Sequence, residues 1–260
     1  MWQRGTLRHA TEMFRVVQKL VKANRRAADV ASNKWPKLFK TESYARLFDE
    51  RIRRALADAS SVLEVGGIDR PYLKKEQGYE YVGMDIEERP RCHDVYDRFL
   101  VQSVEDSFPG EFDVILSVTL MEHVPNNSRA IASMFKALRP GGTTHHYVPS
   151  KNHPYSLGLR LIGPKLQKQL IPVIRPAAEA VTGYPAFFDR CTPAQMEAEF
   201  KRAGFCDVEV QPFYRANDYF AFLLPAYVAV TCLEKSFEAL SLAPLASGFV
   251  ISARKPEKNS

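Results

Sequence analysis

Carboxylates and a glycine pair stand at the ends of short apolar runs, where such side chains can grip a nucleoside-like ligand. Glu64-Val65-Gly66-Gly67 closes the run Ser61 to Val65. A glycine turn there lets the backbone approach a ligand closely and aims amides at it. Asp85 closes the next run about 20 residues on, where a carboxylate accepts hydrogen bonds from the two hydroxyls of a ribose. A plain turn aspartate is the alternative. Ser103-Val104-Glu105-Asp106, Phe112-Asp113-Val114-Ile115-Leu116-Ser117, Leu120-Met121-Glu122-His123-Val124-Pro125 and Leu138-Arg139-Pro140-Gly141-Gly142 follow in that order. His123, His153 and Tyr155 are the side chains best suited to take a proton from an acceptor hydroxyl. Each has a plainer alternative: His123 as a brace for its loop, His153 and Tyr155 as ordinary loop residues.

These groups need a scaffold, and the hydrophobic pattern predicts one. Leu7, Ala10, Phe14, Val17 and Val21 recur at helical spacing with basic residues between them, which predicts an amphipathic helix. A second helix is expected from Ser43 to Ala59, with Leu47, Ile52 and Leu56 on its inner face. Strands are expected at Ser61–Val65, Tyr79–Met84, Phe99–Gln102, Phe112–Ser117 and Thr143–Val148, with Leu138 to Gly142 as the turn into the fifth. Ala130, Ile131, Met134, Phe135 and Leu138 mark a helix before that turn. Thr192, Pro193 and Gln195 read as the cap, first position and capping box of another helix, and Gly204 as its stop. Asp207 to Phe213 and Phe249 to Lys255 are the last two strands. Strands alternating with helices imply right-handed βαβ units and a crevice at the carboxyl ends of the strands, after Val65, Met84, Ser117 and Val148.

The motif series from Ser61 to Pro149 resembles the class I S-adenosyl-L-methionine (SAM)-dependent methyltransferase family, especially its bacterial small-molecule, type 11-like branch. The resemblance implies a Rossmann-like α/β fold with a mainly parallel seven-stranded sheet. The domain layout expected is an N-terminal helical extension over 1–60 and a methyltransferase domain over 61–260, with helical insertions at about 156–182 and 214–242. By the same resemblance Glu64, Gly66 and Gly67 shape the pocket for the methionine part of SAM. Asp85 holds the ribose, Ile86 lies against the adenine, and Ser103 and Val104 grip the adenine edge. Ser117 and Val118 line the pocket after the fourth strand.

Three departures from the family pattern stand out. Ile68 and Arg70 replace the later glycines of the acidic-x-Gly-x-Gly-x-Gly turn. Thr119 stands where metal-binding relatives carry the first glutamate of Glu-x-x-Glu-His, so no metal is expected on Glu122 and His123 alone. His145-His146 interrupt a central strand that should be apolar. They either face the substrate crevice or are structural histidines with satisfied partners.

Composition sets the remaining bounds. With 260 residues, 45% hydrophobic and 25% charged, the chain has the make-up of one sizeable globular domain with attachments, with two small domains as the alternative. Cys92, Cys191, Cys206 and Cys232 form no CxxC pair, which disfavours a zinc site or disulfide framework and fits a reducing cytoplasm. Met1 to Arg26 has no uninterrupted apolar core of the signal-peptide kind. The longest apolar run, Tyr219 to Leu233, is broken by Pro225 and falls short of the roughly 20 residues a span needs. The net charge of +6 gathers at the front, in Arg8, Arg15, Lys19, Lys22, Arg25, Arg26, Lys34, Lys37 and Lys40. No nucleic-acid-binding motif accompanies it, so nucleic acid is disfavoured as a partner. Ser156 to Ala180 mixes apolar and basic residues, and Tyr214 to Leu242, a second insertion between the final strands, carries the long apolar run. The first reads as helices forming a lid over the crevice. Together with the basic N-terminal helix, both insertions are candidates to contact a membrane surface or a lipid-linked substrate, or they pack on each other as an auxiliary helical layer.

The function expected is methyl transfer from SAM to a small-molecule, glycan or lipid-linked acceptor by a cytoplasmic protein, with peripheral contact to the inner membrane face as an option. The alternative is a methyltransferase-fold binding or regulatory protein without catalysis. A nicotinamide oxidoreductase shares the glycine-acid logic but has no place for Glu122-His123 or Pro140-Gly141-Gly142.

Overall fold

The computed structural model describes residues 2–40, 43–75, 78–158, 163 and 184–257, with the side chains of 2–14 outside that description. Two compact units are present. Ser43–Ser156, Pro185–Phe213 and Ala243–Ser260 form the sheet unit; Met1–Glu42, Leu157–Tyr184 and Tyr214–Leu242 form the other, helical in its described parts.

The sheet unit carries β1 (Ser61–Val65), β2 (Glu80–Asp85), β3 (Arg98–Val101), β4 (Phe112–Val118), β5 (Leu138–Pro149), β6 (Cys206–Phe213) and β7 (Gly248–Arg254), in the order β3-β2-β1-β4-β5-β7-β6. β1 to β5 run parallel, and β7 is antiparallel to both β5 and β6. The sheet is therefore mixed: β7, next to the edge strand β6, runs against an otherwise parallel set. All five residues of β1 are buried, because both faces of the sheet are covered. Alternate residues feed different cores. Leu63 and Val65 pack with Ile131, Met134, Met196 and Phe200, while Val62 packs with Phe48, Ile52, Tyr81 and Tyr96. Strand order turns back between β1 and β4, which opens a crevice at their carboxyl ends.

Among the described residues, α3 (Tyr44–Ala55), α5 (Asn127–Ala137) and α6 (Pro193–Ala203) flank this sheet. A short turn of helix, α4 (Cys92–Val95), precedes β3. Ser43 caps α3 by accepting from the Ala45 amide, and Phe48 joins Ile52 as the fully buried face in place of Leu47. Thr192 caps α6 by accepting from the Gln195 amide, and Gly204 ends it in the left-handed region at φ +100°. Both ends of α6 thus follow the sequence expectation. β5 does not. Leu138 to Gly142, expected as a turn, pairs into the strand: Leu138 lies opposite Phe112 and Thr143 opposite Val114, with a register shift between. The segment between bulges outward, and the Gly141 amide donates to the Lys255 carbonyl instead of to β4.

In the helical unit α1 (Trp2–Lys34) and α2 (Pro36–Phe39) precede α7 (Leu224–Ala239). Pro225 sits in the first turn of α7, where its missing N–H costs nothing. Ala28, Phe39, Ala221 and Tyr227 make the buried cluster, with Phe39 and Tyr227 stacked at 5.4 Å. The buried Glu234 carboxylate accepts from the amides of Ala216 and Asn217. Along α1, Val17 is exposed and the packing face runs instead through Asn24, Ala28 and Ala31. The expected insertion over 156–182 lies largely outside the described residues. Among the described residues no helix is long and apolar enough to cross a membrane.

Candidate active site

The turn after β1 is built around Glu64. Its carboxylate is 3% exposed and accepts from the Tyr72 amide at 2.9 Å and from the Tyr81 hydroxyl. Burial pushes the Glu64 carboxyl up to about 7, against the pull of the Tyr81, Tyr72 and Leu73 hydrogen bonds. Gly66 sits at φ +87°, and its amide donates to the Met84 carbonyl at 2.8 Å. A Cβ on Gly67 would meet the Tyr96 hydroxyl and the Glu64 carboxylate, and both would have to shift to admit it. Ile68, at a position where the family pattern has glycine, still takes the glycine conformation, with φ +47°. For a β-branched residue that is a strained backbone.

Asp85 ends β2 half-buried, with Oδ1 accepting the Glu87 amide at 3.2 Å. Burial raises its pKa, and the Glu87 and Ile86 amides and Arg89 act against that. Ile86 beside it is 64% exposed, an apolar side chain held open at the strand end. After β3, Ser103 Oγ accepts the Glu105 amide at 3.2 Å, and Val104 is buried in the core.

β4 ends at Val118, half-buried, and Thr119 follows at φ +54° with its amide on the Tyr147 carbonyl. Leu120 folds toward the glycine turn: a Cβ on Gly66 would lie 2.8 Å from Leu120 Cδ1. Glu122 is buried, and its Oε2 has no hydrogen-bond partner. Burial pushes its carboxyl up to about 8, so it is largely a neutral acid at neutral pH. His123 Nδ1 lies 2.8 Å from the Pro185 carbonyl, and a carbonyl only accepts. Nδ1 therefore carries a ring N–H, which in the neutral imidazole puts the lone pair on Nε2; Nε2 lies 3.8 Å from Glu122 Oε1. The Phe187 and Phe188 amides donate to the Glu122 carbonyl, and Asn127 Nδ2 donates to the carbonyls of Met121 and Asp189. The 185–191 segment thus clasps the Leu120–Val124 loop. No cluster of three or more His, Cys, Asp or Glu side chains able to hold a metal occurs among the described residues.

Ser117 and the histidine pair form a separate arrangement inside the sheet. Ser117 Oγ meets His146 Nδ1 at 2.7 Å, and Thr144 Oγ1 meets His146 Nε2 on the other side. His145 lies between Ser252 Oγ and Thr143 Oγ1 at 2.8 and 3.1 Å. Burial pushes His145 down to about 4 and His146 to about 3, so both rings are neutral. Hydroxyls donate or accept as required, which satisfies a neutral imidazole on both nitrogens. The pair is structural, and the Ser117 hydroxyl is committed to it. Past β5, His153 is 1% exposed, with Nδ1 accepting the Tyr155 amide at 3.2 Å.

The structure thus gathers Glu64, Gly66, Gly67, Asp85, Ile86 and Val118 at the carboxyl edges of adjacent strands β2, β1 and β4. Comparison with known proteins decides what kind of crevice this is. The methyltransferase domain family profile matches residues 9–210. The chain belongs to the methyltransferase domain family. It is a class I member, as the motif series implied, and SAM is the cofactor of that family.

Curated relatives include ubiquinone biosynthesis O-methyltransferases. That of Dechloromonas aromatica (strain RCB) is 28% identical over 107 residues, 37% of this chain and 46% of the relative. That of Pseudomonas fluorescens (strain SBW25) is 26% identical over 137 residues, 48% of this chain and 57% of the relative. The chain spans about half the length of the curated relatives it matches. Two solved structures share the fold: a SAM-dependent methyltransferase from Archaeoglobus fulgidus (TM-score 0.51, 14% identity, 87% of this chain and 98% of that one) and the [4+2]-cyclase SpnF (TM-score 0.52, 16% identity, 82% and 80%).

The site of this methyltransferase-family chain fits its cofactor. The glycine cradle that a Cβ would fill and the half-buried Asp85 suit a nucleoside with a charged amino-acid tail. Tyr96 adds to this: its buried hydroxyl has no partner and lies against Gly67 beside Glu64. Tyr96 was not visible as a site residue, because it lies outside every motif and reaches the turn only through folding. Glu122 was visible in its motif, but not that one of its carboxyl oxygens would be buried without a hydrogen-bond partner.

Proposed function

We propose that this chain transfers the methyl group of SAM to an oxygen atom of a small-molecule acceptor. The supporting observation is the crevice edge itself, with the Gly66-Gly67 cradle between two carboxylate-bearing strand ends, in a chain whose curated relatives include ubiquinone biosynthesis O-methyltransferases. Gly66 and Gly67 shape the methionine side of the site, and Glu64 holds that turn closed through Tyr72 and Tyr81. Asp85 takes the ribose hydroxyls, Ile86 covers the adenine face, and Ser103 and the backbone of Val104 border the adenine edge, the Val104 side chain being in the core. Ser117 and Val118 form the wall at the end of β4, Ser117 through its backbone.

When bound, SAM supplies a methyl group on a positively charged sulfur, an electrophile that needs in-line approach more than further activation. An acceptor hydroxyl of high pKa needs a base. His123 Nε2 takes that proton, and the Nδ1 bond to Pro185 holds the required tautomer. The Glu122 carboxyl lies 3.8 Å from Nε2, and its raised pKa lets it give up its proton as the imidazolium forms. His153 and Tyr155 take second place, since the His153 ring is enclosed. The finer reading extends the acceptor to glycan or lipid-linked molecules and places the protein in the cytoplasm, with which four free cysteines agree. Incubation with methyl-labelled SAM and fractionated cell extract tests the proposal. Label in a small-molecule fraction as an alkali-stable methyl ether supports it; label confined to protein or nucleic acid overturns it.

A further inference from the structure

α1 carries two parallel stripes on its exposed surface. Val16, Leu20, Ala23, Ala27 and Val30 repeat at intervals of four and three, which keeps them on one line along a helix. Arg15, Lys19, Lys22 and Arg26 precede the first four by one residue each and make a second line beside it. Val16, Leu20 and Val30 are 55%, 59% and 63% exposed, and all four basic residues are exposed. The helix packs elsewhere: Ala28 and Ala31 join the Tyr227 cluster, and Asn24 accepts the Leu224 amide. At about 100° per residue the basic line lies opposite that packed face, and the apolar line roughly a quarter turn from both.

The end of the helix repeats the combination. Trp35 is 52% and Leu38 43% exposed, with Lys34 Nζ 4.9 Å over the Trp35 ring and Lys37 exposed between them. From Arg15 to Lys40 there are eight basic side chains against the single carboxylate Asp29, more than the whole chain's excess of +6. The remainder of the protein is close to neutral, so this charge belongs to one segment. An exposed apolar line bordered by cations, with an amphipathic aromatic at its end, matches the layered chemistry of a bilayer surface. Lysine and arginine stems lie along apolar tails while their heads reach anionic headgroups. A soluble acidic partner would account for the charge but leave Val16, Leu20 and Val30 in water.

The geometry points to residues 15–40 as a docking surface for an anionic lipid membrane, laid flat along α1 and anchored by Trp35. This surface does not rest on the methyl-transfer reading; it would serve any activity housed in the sheet unit.

Co-sedimentation of the full chain with vesicles tests it, using phosphatidylcholine alone and an equimolar mixture with phosphatidylglycerol. Binding is expected to the mixed vesicles only, weakening steeply as salt is raised. Lys19→Glu with Lys22→Glu and Arg26→Glu should lower affinity by roughly tenfold or more. Leu20→Gln with Val30→Gln, which leaves charge and helix propensity intact, should also weaken binding. Lys74→Glu with Lys136→Glu, in the sheet unit, should leave it unchanged. Circular dichroism and SAM titration on each variant separate lost docking from lost folding. No binding to mixed vesicles, equal binding to neutral ones, or insensitivity to the α1 substitutions overturns the proposal. So does a dimer in light scattering that Leu20→Gln with Val30→Gln dissolves, or a shifted RNA duplex with vesicles left unbound.

Discussion

Ser117 on β4 and His146 on β5 face each other in register across the parallel pair, and Oγ and Nδ1 meet at 2.7 Å inside the sheet. This contact explains how a central strand tolerates two consecutive histidines. Replacing Ser117 with alanine leaves a buried ring nitrogen without its partner. We expect a loss of about 1–3 kcal/mol in urea unfolding. A neutral result would mean that the ring finds another partner at no cost.

Buried titratable groups set opposite slopes on the stability curve. His145 and His146 titrate at about 4 and about 3 when folded, below the ordinary 6.5. The unfolded chain then binds more protons, so stability falls as pH drops below 6.5. Glu64 and Glu122 titrate at about 7 and about 8, above the ordinary 4.5. There the folded chain holds the extra protons, so stability falls as pH rises from 4.5 toward 8. Each site contributes a slope of up to about 1.4 kcal/mol per pH unit. The two pairs oppose each other between 4.5 and 6.5, which predicts a plateau there with losses on both sides. Urea midpoints across pH check this, and Glu122→Gln should flatten the alkaline limb. An unchanged alkaline limb in that variant would remove Glu122 from it.

Ile68 holds a backbone conformation suited to glycine, at φ +47°. Substituting glycine removes the Cβ clash, whereas alanine keeps it. Ile68→Gly should therefore be more stable than Ile68→Ala by about 1 kcal/mol. Equal melting temperatures for the two variants would show that the turn carries no such strain.

His123 is placed both to brace its loop, through Pro185, and to accept a proton at Nε2. If it is the base, His123→Ala should lower kcat by about a hundredfold or more with little change in SAM affinity. Loss of SAM affinity and turnover together would reduce it to a brace.

Much of the scaffold was legible because its signals are local. The apolar run Ser61–Val65 became β1 residue for residue, and Thr192 and Gly204 bound α6 through their own backbone chemistry. What escaped depends on long-range contact. Leu138 to Gly142 contains turn residues, yet pairing with β4 draws it into the strand. Ser117 read as a pocket residue, but its hydroxyl is spent on a histidine 29 positions away. Tyr96 carries no motif, and only the packing of α4 and β3 against the turn puts its hydroxyl beside Gly67. The acidic strand ends were readable; the tyrosines that line them were not.

The cofactor crevice is tested most directly by calorimetric titration of SAM into the wild-type chain and into Asp85→Ala. One site per chain is expected, weakened in the variant by more than about 1 kcal/mol as hydrogen bonds to a charged group are lost. No binding by the wild type at millimolar SAM, or equal affinity in the two proteins, would contradict it.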